Sequence, residues 1–201
     1  MEKAIKEKLK DIEKYICENF DGLDMDDPVE EGYFDEYEKI RGANEDEFYN
    51  FEKEFNIKLP GDFKELYSYK NGSGYFELIQ SNVDGRDMSF TLMSLEEMKR
   101  IKGFFQNVDD LLSNYFDVKE LESKKDSRIK PYIFNKLWFP FASYCECCYL
   151  MLDFNPDKDG KSGQVICYIH DPDEVVYATE SVKKLIDDEL NLLKDMFDKQ
   201  D

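Results

Sequence analysis

The strongest constraint on this chain is where its two hydrophobic periods fall. Ile5, Leu9, Ile12 and Ile16 recur at spacings of four, three and four, which draws one apolar stripe along a helix over about 3–18. At the other end Ser181 is placed to cap a helix carrying Val182, Leu185, Ile186, Leu190, Leu193 and Phe197. Between them, 137–144, 148–154, 165–170 and 174–178 are rich in aromatic and branched residues and are separated by turn chemistry, the texture of strands. Helices at both ends with strands between them specify an α+β fold, a mostly antiparallel sheet flanked by helices.

The middle of the chain is read in the same way. Asn44 with Glu47 has capping-box spacing and opens a helix with Phe48, Phe51 and Phe55 on one face. Leu59-Pro60 breaks the chain before a second short helix with Phe63, Leu66 and Tyr67, and Asn71-Gly72 closes it with residues that tolerate positive φ. Strands are expected at 75–79 and 89–93, joined by a polar connection. Ser94 with Glu97 starts a helix bearing Leu95, Met98, Ile101 and Phe105, and a second helical stretch is expected over 108–116. The charged segment 117–130 reads as a mobile surface connection. Residues 22–42, with four glycines and prolines, read as a loop whose aromatics pack onto the body.

Composition narrows the function. The 201 residues carry 46 acidic and 27 basic side chains, a net charge of -19, with 15% aromatics. So many rings supply the buried area that a disordered chain lacks. Negative charge on this scale repels phosphate backbones and anionic lipid, so neither nucleic acid nor membrane is an expected partner, whereas a basic protein is. The opening MEKAIKEKLKDIEKYI has no signal-peptide core, and five cysteines, an odd number, read as reduced thiols of a cytoplasmic protein.

With these landmarks in place, the run FEKEFNIKLPGDFKELYSYKNG at 51–72 resembles the opening of the SUKH superfamily. The later landmarks follow in that family's order. They are LWFPFA at 137–142 with Trp138 and Pro140, LDFNP at 152–156 with Asp153, GKSGQVICYIHD at 160–171 with Gly160, Gly163 and Gln164, and Ser181 at the last cap. The earlier signature positions are Leu59, Pro60, Asn71 and Gly72. The resemblance runs over about 44–195 and makes the chain one SUKH-like domain. Residues 1–43 are then an N-terminal extension and 105–136 a variable insertion. It implies a sheet with helices to one side and no active site. Bacterial members are immunity proteins that neutralise a cognate toxin, often a nuclease, by direct binding. Fungal members regulate cell-wall synthesis and stress signalling.

That implication gives the acidity a use. A nuclease is basic where it grips phosphate, and opposite charge steers encounter. Asp24, Asp26, Asp27, Glu30, Glu31, Asp35 and Glu36 form the densest acidic run, with Tyr33 and Phe34 as candidate anchors; Asp171, Asp173 and Glu174 form a second. The expected partner is a basic toxin, bound by a monomer or weak dimer, and no cofactor is implied. Residues 153–160 imitate a calcium loop, but Ile166 stands where the bidentate Glu is needed, so Asp153 is read as an acceptor for turn donors. Cys145, Cys147, Cys148, Cys167 and His170 could supply zinc ligands. Their Cys-x-Cys-Cys spacing instead reads as structural thiols, with Cys145 and Cys147 on one strand face and Cys148 on the other. No nucleophile elbow, P-loop or dinucleotide fingerprint occurs, so no enzyme is expected.

Overall fold

The computed structural model describes residues 3–23, 25–123 and 126–198. In chain order the helices and strands are α1 (Ile5–Asn19), α2 (Tyr33–Lys39), α3 (Glu45–Phe55), α4 (Gly61–Tyr69), β1 (Ile79–Val83), β2 (Arg86–Leu92), α5 (Leu95–Phe104), β3 (Asp110–Leu111), α6 (Val118–Ser123), β4 (Tyr132–Phe134), β5 (Trp138–Tyr144), β6 (Cys148–Asp153), β7 (Gln164–Ile169), β8 (Glu174–Thr179) and α7 (Val182–Phe197). Six strands form one sheet in the order β1-β2-β5-β6-β7-β8, and β3 pairs with β4. Each of these pairings is antiparallel. The fold is α+β with helices at both ends, as the two periods require.

At β6 and β7 the sheet is buried on both faces, which is why these strands read as unbroken apolar runs. Strand alternation sends Leu150, Leu152, Val165 and Cys167 to one face, where they join Ile5, Leu9, Ile12 and Ile16 of α1, Leu66 of α4, and Leu185, Ile186 and Leu193 of α7. Met151, Ile166 and Tyr168 go to the other face with Trp138, beneath Ile129 and Ile133. The 105–136 segment therefore roofs the second face. Both expected capping boxes form, Asn44 with Glu47 and Ser94 with Glu97.

Several expectations are corrected. Residues 22–42 contain the two-turn helix α2, which follows Gly32 at φ 74° and is too short to display a period. Strand β1 lies later than expected and β2 starts earlier, which brings them closer together, joined by Asp84-Gly85 at φ 53° and 77°, the positive pair a two-residue hairpin turn uses. Their outward residues are polar, which hid them. The stretch 108–116 is not an α-helix: Asp110 and Leu111 pair with Phe134 and Tyr132, and a 3-10 turn Leu112–Asn114 follows. Within 117–130, α6 forms, and the Arg128 carbonyl accepts from the backbone N–H of Asp157 at 3.1 Å. Of Asn71-Gly72 only Gly72 takes positive φ, 100°, where a Cβ would stand 2.9 Å from the Ser94 nitrogen. Asn71 instead accepts from the Leu95 N–H at 2.9 Å. Trp138 begins an interior strand, and Pro140 is tolerated there because the ladder shifts register between Pro140 and Ala142.

Candidate interaction surface

Two of the residues that carried the resemblance, Trp138 and Gln164, converge on the buried carboxylate of a third, Asp153. Its Oδ1 accepts from the Trp138 indole N–H at 2.9 Å and the Asn155 backbone N–H at 2.7 Å. Its Oδ2 accepts from the Gln164 amide at 2.9 Å. Burial pushes the Asp153 carboxyl above its ordinary pKa, against the pull of these donors. Gln164 also donates to the Arg128 carbonyl at 2.8 Å and accepts from the Lys161 N–H at 3.0 Å. Close approach explains the glycines: a Cβ on Gly160 would lie 2.3 Å from the Arg128 oxygen, and one on Gly163 2.8 Å from the Pro60 ring. Leu59, buried, donates its N–H to Glu52 at 2.9 Å, and the Ser181 hydroxyl accepts from the Lys184 N–H at 3.1 Å. These polar groups are turned onto the chain itself, an arrangement that holds strands in place.

The open surface lies elsewhere. The roof over the second sheet face stops short of Thr91 and Ser143, paired neighbours on β2 and β5. With Tyr149 they line a groove of about 570 Å³ whose wall includes Tyr75, Glu77, Glu97, Arg100, Cys145 and Glu146. Three carboxylates to one guanidinium make it a negative trough. Tyr75 is 73% exposed. A smaller hollow of about 180 Å³ shares Tyr75, Glu77 and Thr91 and continues to Asp26 and Tyr33. The ring centroids of Tyr33 and Tyr75 are 5.6 Å apart.

This continuity decides what becomes of the acidic run. Asp24 lies outside the described residues. Asp26, Glu30, Glu31, Asp35 and Glu36 are exposed, while Asp27 accepts from the N–H groups of Val29 and Glu30 at 2.8 and 3.0 Å. Tyr33 stands at the end of the groove. Its hydroxyl pKa is raised by desolvation first and then by Glu31 and Asp26. Phe34 turns inward onto Phe76, 5.4 Å away, beside Tyr37, which is buried and donates to Glu13 at 2.6 Å. Phe34 therefore anchors the segment to its own body. The second run does not line the groove. Asp171 is exposed, at φ 61° before a cis peptide to Pro172; Glu174 is paired with Arg86 at 2.6 Å. Asp173 accepts from Tyr168 at 2.5 Å and faces His170 at 2.8 Å; partial burial works to raise its pKa, but these bonds outweigh it and lower it. Tyr75, Glu77, Glu146 and Tyr149 were not singled out in the sequence, and Glu97 was read there only as a helix cap. Tyr75 alone carried a signal, as a large ring in the glycine-flanked run Gly72–Phe76 beside a buried Phe.

The cysteines correct a further expectation. Cys145 and Glu146 take φ of 48° and 54°, so the β5–β6 connection is a turn and Cys145 shares no strand face with Cys147. All five thiols are free, and among the described residues no group of three or more His, Cys, Asp or Glu is placed to hold a metal ion. No helix among those residues is long and apolar enough to cross a membrane.

The comparison with protein families turns on the segment that contains both the Asp153 cluster and the groove. The SMI1 / KNR4 family (SUKH-1) profile matches residues 42–188. The chain belongs to this family. That membership supports a protein-interaction role of the immunity or regulator type. The matched region runs from just before α3 into α7. It includes the groove wall, and α1, α2 and the acidic run lie outside the matched residues. A comparison with curated proteins finds no match.

Proposed function

We propose that this SUKH chain is an immunity protein that neutralises a basic, nuclease-type toxin by occupying its phosphate-binding surface in the cytoplasm. The single observation that carries the reading is the continuity of the groove with the acidic run through Tyr33 and Tyr75. A rim of carboxylates accelerates encounter with a cationic partner, and the exposed Tyr75 with the half-buried Tyr33 beside it supplies area at low entropic cost. The whole chain acts as one unit, with residues 1–43 extending the family core. It binds neither nucleic acid nor membrane directly and works without catalysis.

The test is co-expression with the product of the adjacent gene, followed by pull-down and a nuclease assay. A stoichiometric complex that abolishes cleavage supports the reading; a neighbour that is neither bound nor inhibited overturns it. The second reading, a regulatory scaffold like the fungal members, is favoured by family membership alone. It is distinguished by capture of an endogenous signalling protein in place of a toxin.

A further inference from the structure

The turn that forms one wall of the groove carries three cysteines in four residues. The Sγ atoms of Cys147 and Cys148 are 3.8 Å apart. Cys147 is half-buried and contacts the Tyr144 carbonyl at 3.5 Å; Cys148 is buried at the start of β6. We propose that these two thiols form a chelating site for a trivalent, monosubstituted arsenical, an electrophile of the class R–As(OH)₂.

The geometry selects this chemistry over its competitors. Adjacent Cα atoms across a trans peptide are about 3.8 Å apart, below the roughly 4.4–6.8 Å that a relaxed disulfide spans, so direct oxidation to Cys147–Cys148 strains the chain. A bridging atom removes that conflict. With element–sulfur bonds of about 2.3 Å, the observed separation corresponds to an S–E–S angle of about 110°. A linear two-coordinate ion needs sulfurs about 4.6 Å apart on the same bond length, so monovalent copper fits poorly. Zinc requires four donors, and no third ligand converges with these two among the described residues. A pyramidal centre that makes two bonds to sulfur is what remains.

The reaction balances without an oxidant. Two As–O bonds break and two As–S bonds form, and each thiol proton leaves with a hydroxide as water. The thiols can therefore enter protonated. This matters because burial, with further contributions from Cys147 and Cys145, raises the Cys148 thiol above its ordinary pKa. Cys145 and Glu146 of the same turn line the groove, whereas Cys147 and Cys148 pack against the cluster on the other face of the sheet, so the bound group sits behind the turn.

The experiment uses phenylarsine oxide on the reduced, folded full-length protein, read by intact mass and peptide mapping. The expected result is one phenylarsenic adduct per chain. It should map to 147–148, resist a monothiol wash, be released by a 1,2-dithiol, and be lost in both Cys147→Ser and Cys148→Ser. Cys145→Ser and Cys17→Ser should retain it. An adduct that survives either of the first two substitutions overturns the proposal, as does one that forms only after denaturation. Stoichiometric zinc retained through dialysis also overturns it, because a two-donor site does not hold that ion. Circular dichroism of each serine variant separates loss of the site from loss of the fold.

Discussion

Lys102 offers the sharpest test of the packing described above. It is 5% exposed, near the end of α5, and its Nζ donates to the Trp138 carbonyl at 2.7 Å and to the Gln106 carbonyl. The ammonium rests over the Phe139 ring, 4.5 Å from the centroid. Burial lowers its pKa to about 7, and Asp109 pulls weakly in the other direction. Above that pH the folded chain has released a proton that the unfolded chain holds up to about 10.4, so stability rises with pH across this window. Below about 7 both states are protonated, and the contribution is flat at its least favourable value. Taken from the two pKa values, the gain between pH 7 and 9 is about 2 kcal/mol. Lys102→Met keeps the stem volume and removes the titration. Two carbonyls then lose their donor, so the comparison rests on the slope and not on absolute stability. Urea unfolding of parent and variant at pH 7, 8 and 9, followed by the fluorescence of the single Trp138, gives that slope. The parent should gain about 2 kcal/mol on the variant over the interval. Parallel profiles would show that Lys102 keeps an ordinary pKa and that the junction of α5 with the sheet is wet.

Four further outcomes follow from named contacts. Glu189 is buried, with Oε1 accepting from the Gln80 N–H at 2.7 Å and no partner for Oε2 among the described residues; burial raises its pKa well above the ordinary value. The unfolded carboxyl ionises first as pH rises through about 4.3, so the fold loses stability above that pH. Glu189→Gln should melt above the parent at pH 7 and with it near pH 4, and equal melting at both values refutes this. Trp138→Ala empties a fully buried site and removes a donor from Asp153, at a cost of about 3–5 kcal/mol by chemical unfolding; a loss below about 1 kcal/mol would mean that the site collapses freely. Gly42→Ala sets a Cβ 1.9 Å from the Ser68 carbonyl oxygen, which cannot yield without moving α4, so a loss of at least the ~1–3 kcal/mol of overpacking is expected in a thermal melt. Reversing Asp26, Asp27, Glu30 and Glu31 to Lys should slow association with a basic partner and flatten its salt dependence in stopped-flow, with little change in dissociation; unchanged kinetics would remove the run from the contact surface.

What the sequence made legible, and what it hid, divides along one physical line. Elements whose signal is carried by buried residues were readable: the Ile5–Ile16 stripe, β5 to β7 and α7. Burial forces apolar side chains onto a fixed period, and the period survives in the letters. Elements held by a neighbour were not. The sequence of β1 and β2 is polar outward and owes its pairing to Asp84-Gly85, and β3 exists because Tyr132 and Phe134 stand opposite it. Their spacing of Leu111, Leu112 and Tyr115 imitates a helix, yet Leu111 and Tyr115 are exposed, so no core rewards the helical form. The groove lies wholly on the illegible side. It is the part of one sheet face that the 105–136 segment fails to cover, a property of how far a roof extends and not of any residue beneath it. Tyr75 and Glu146 are brought to it from 71 residues apart by strand order alone. A surface defined by what leaves it uncovered can be found only after the fold is known. The acidic run, by contrast, was visible as charge, but only the fold turns Phe34 inward and leaves Tyr33 beside Tyr75 at the mouth of the groove.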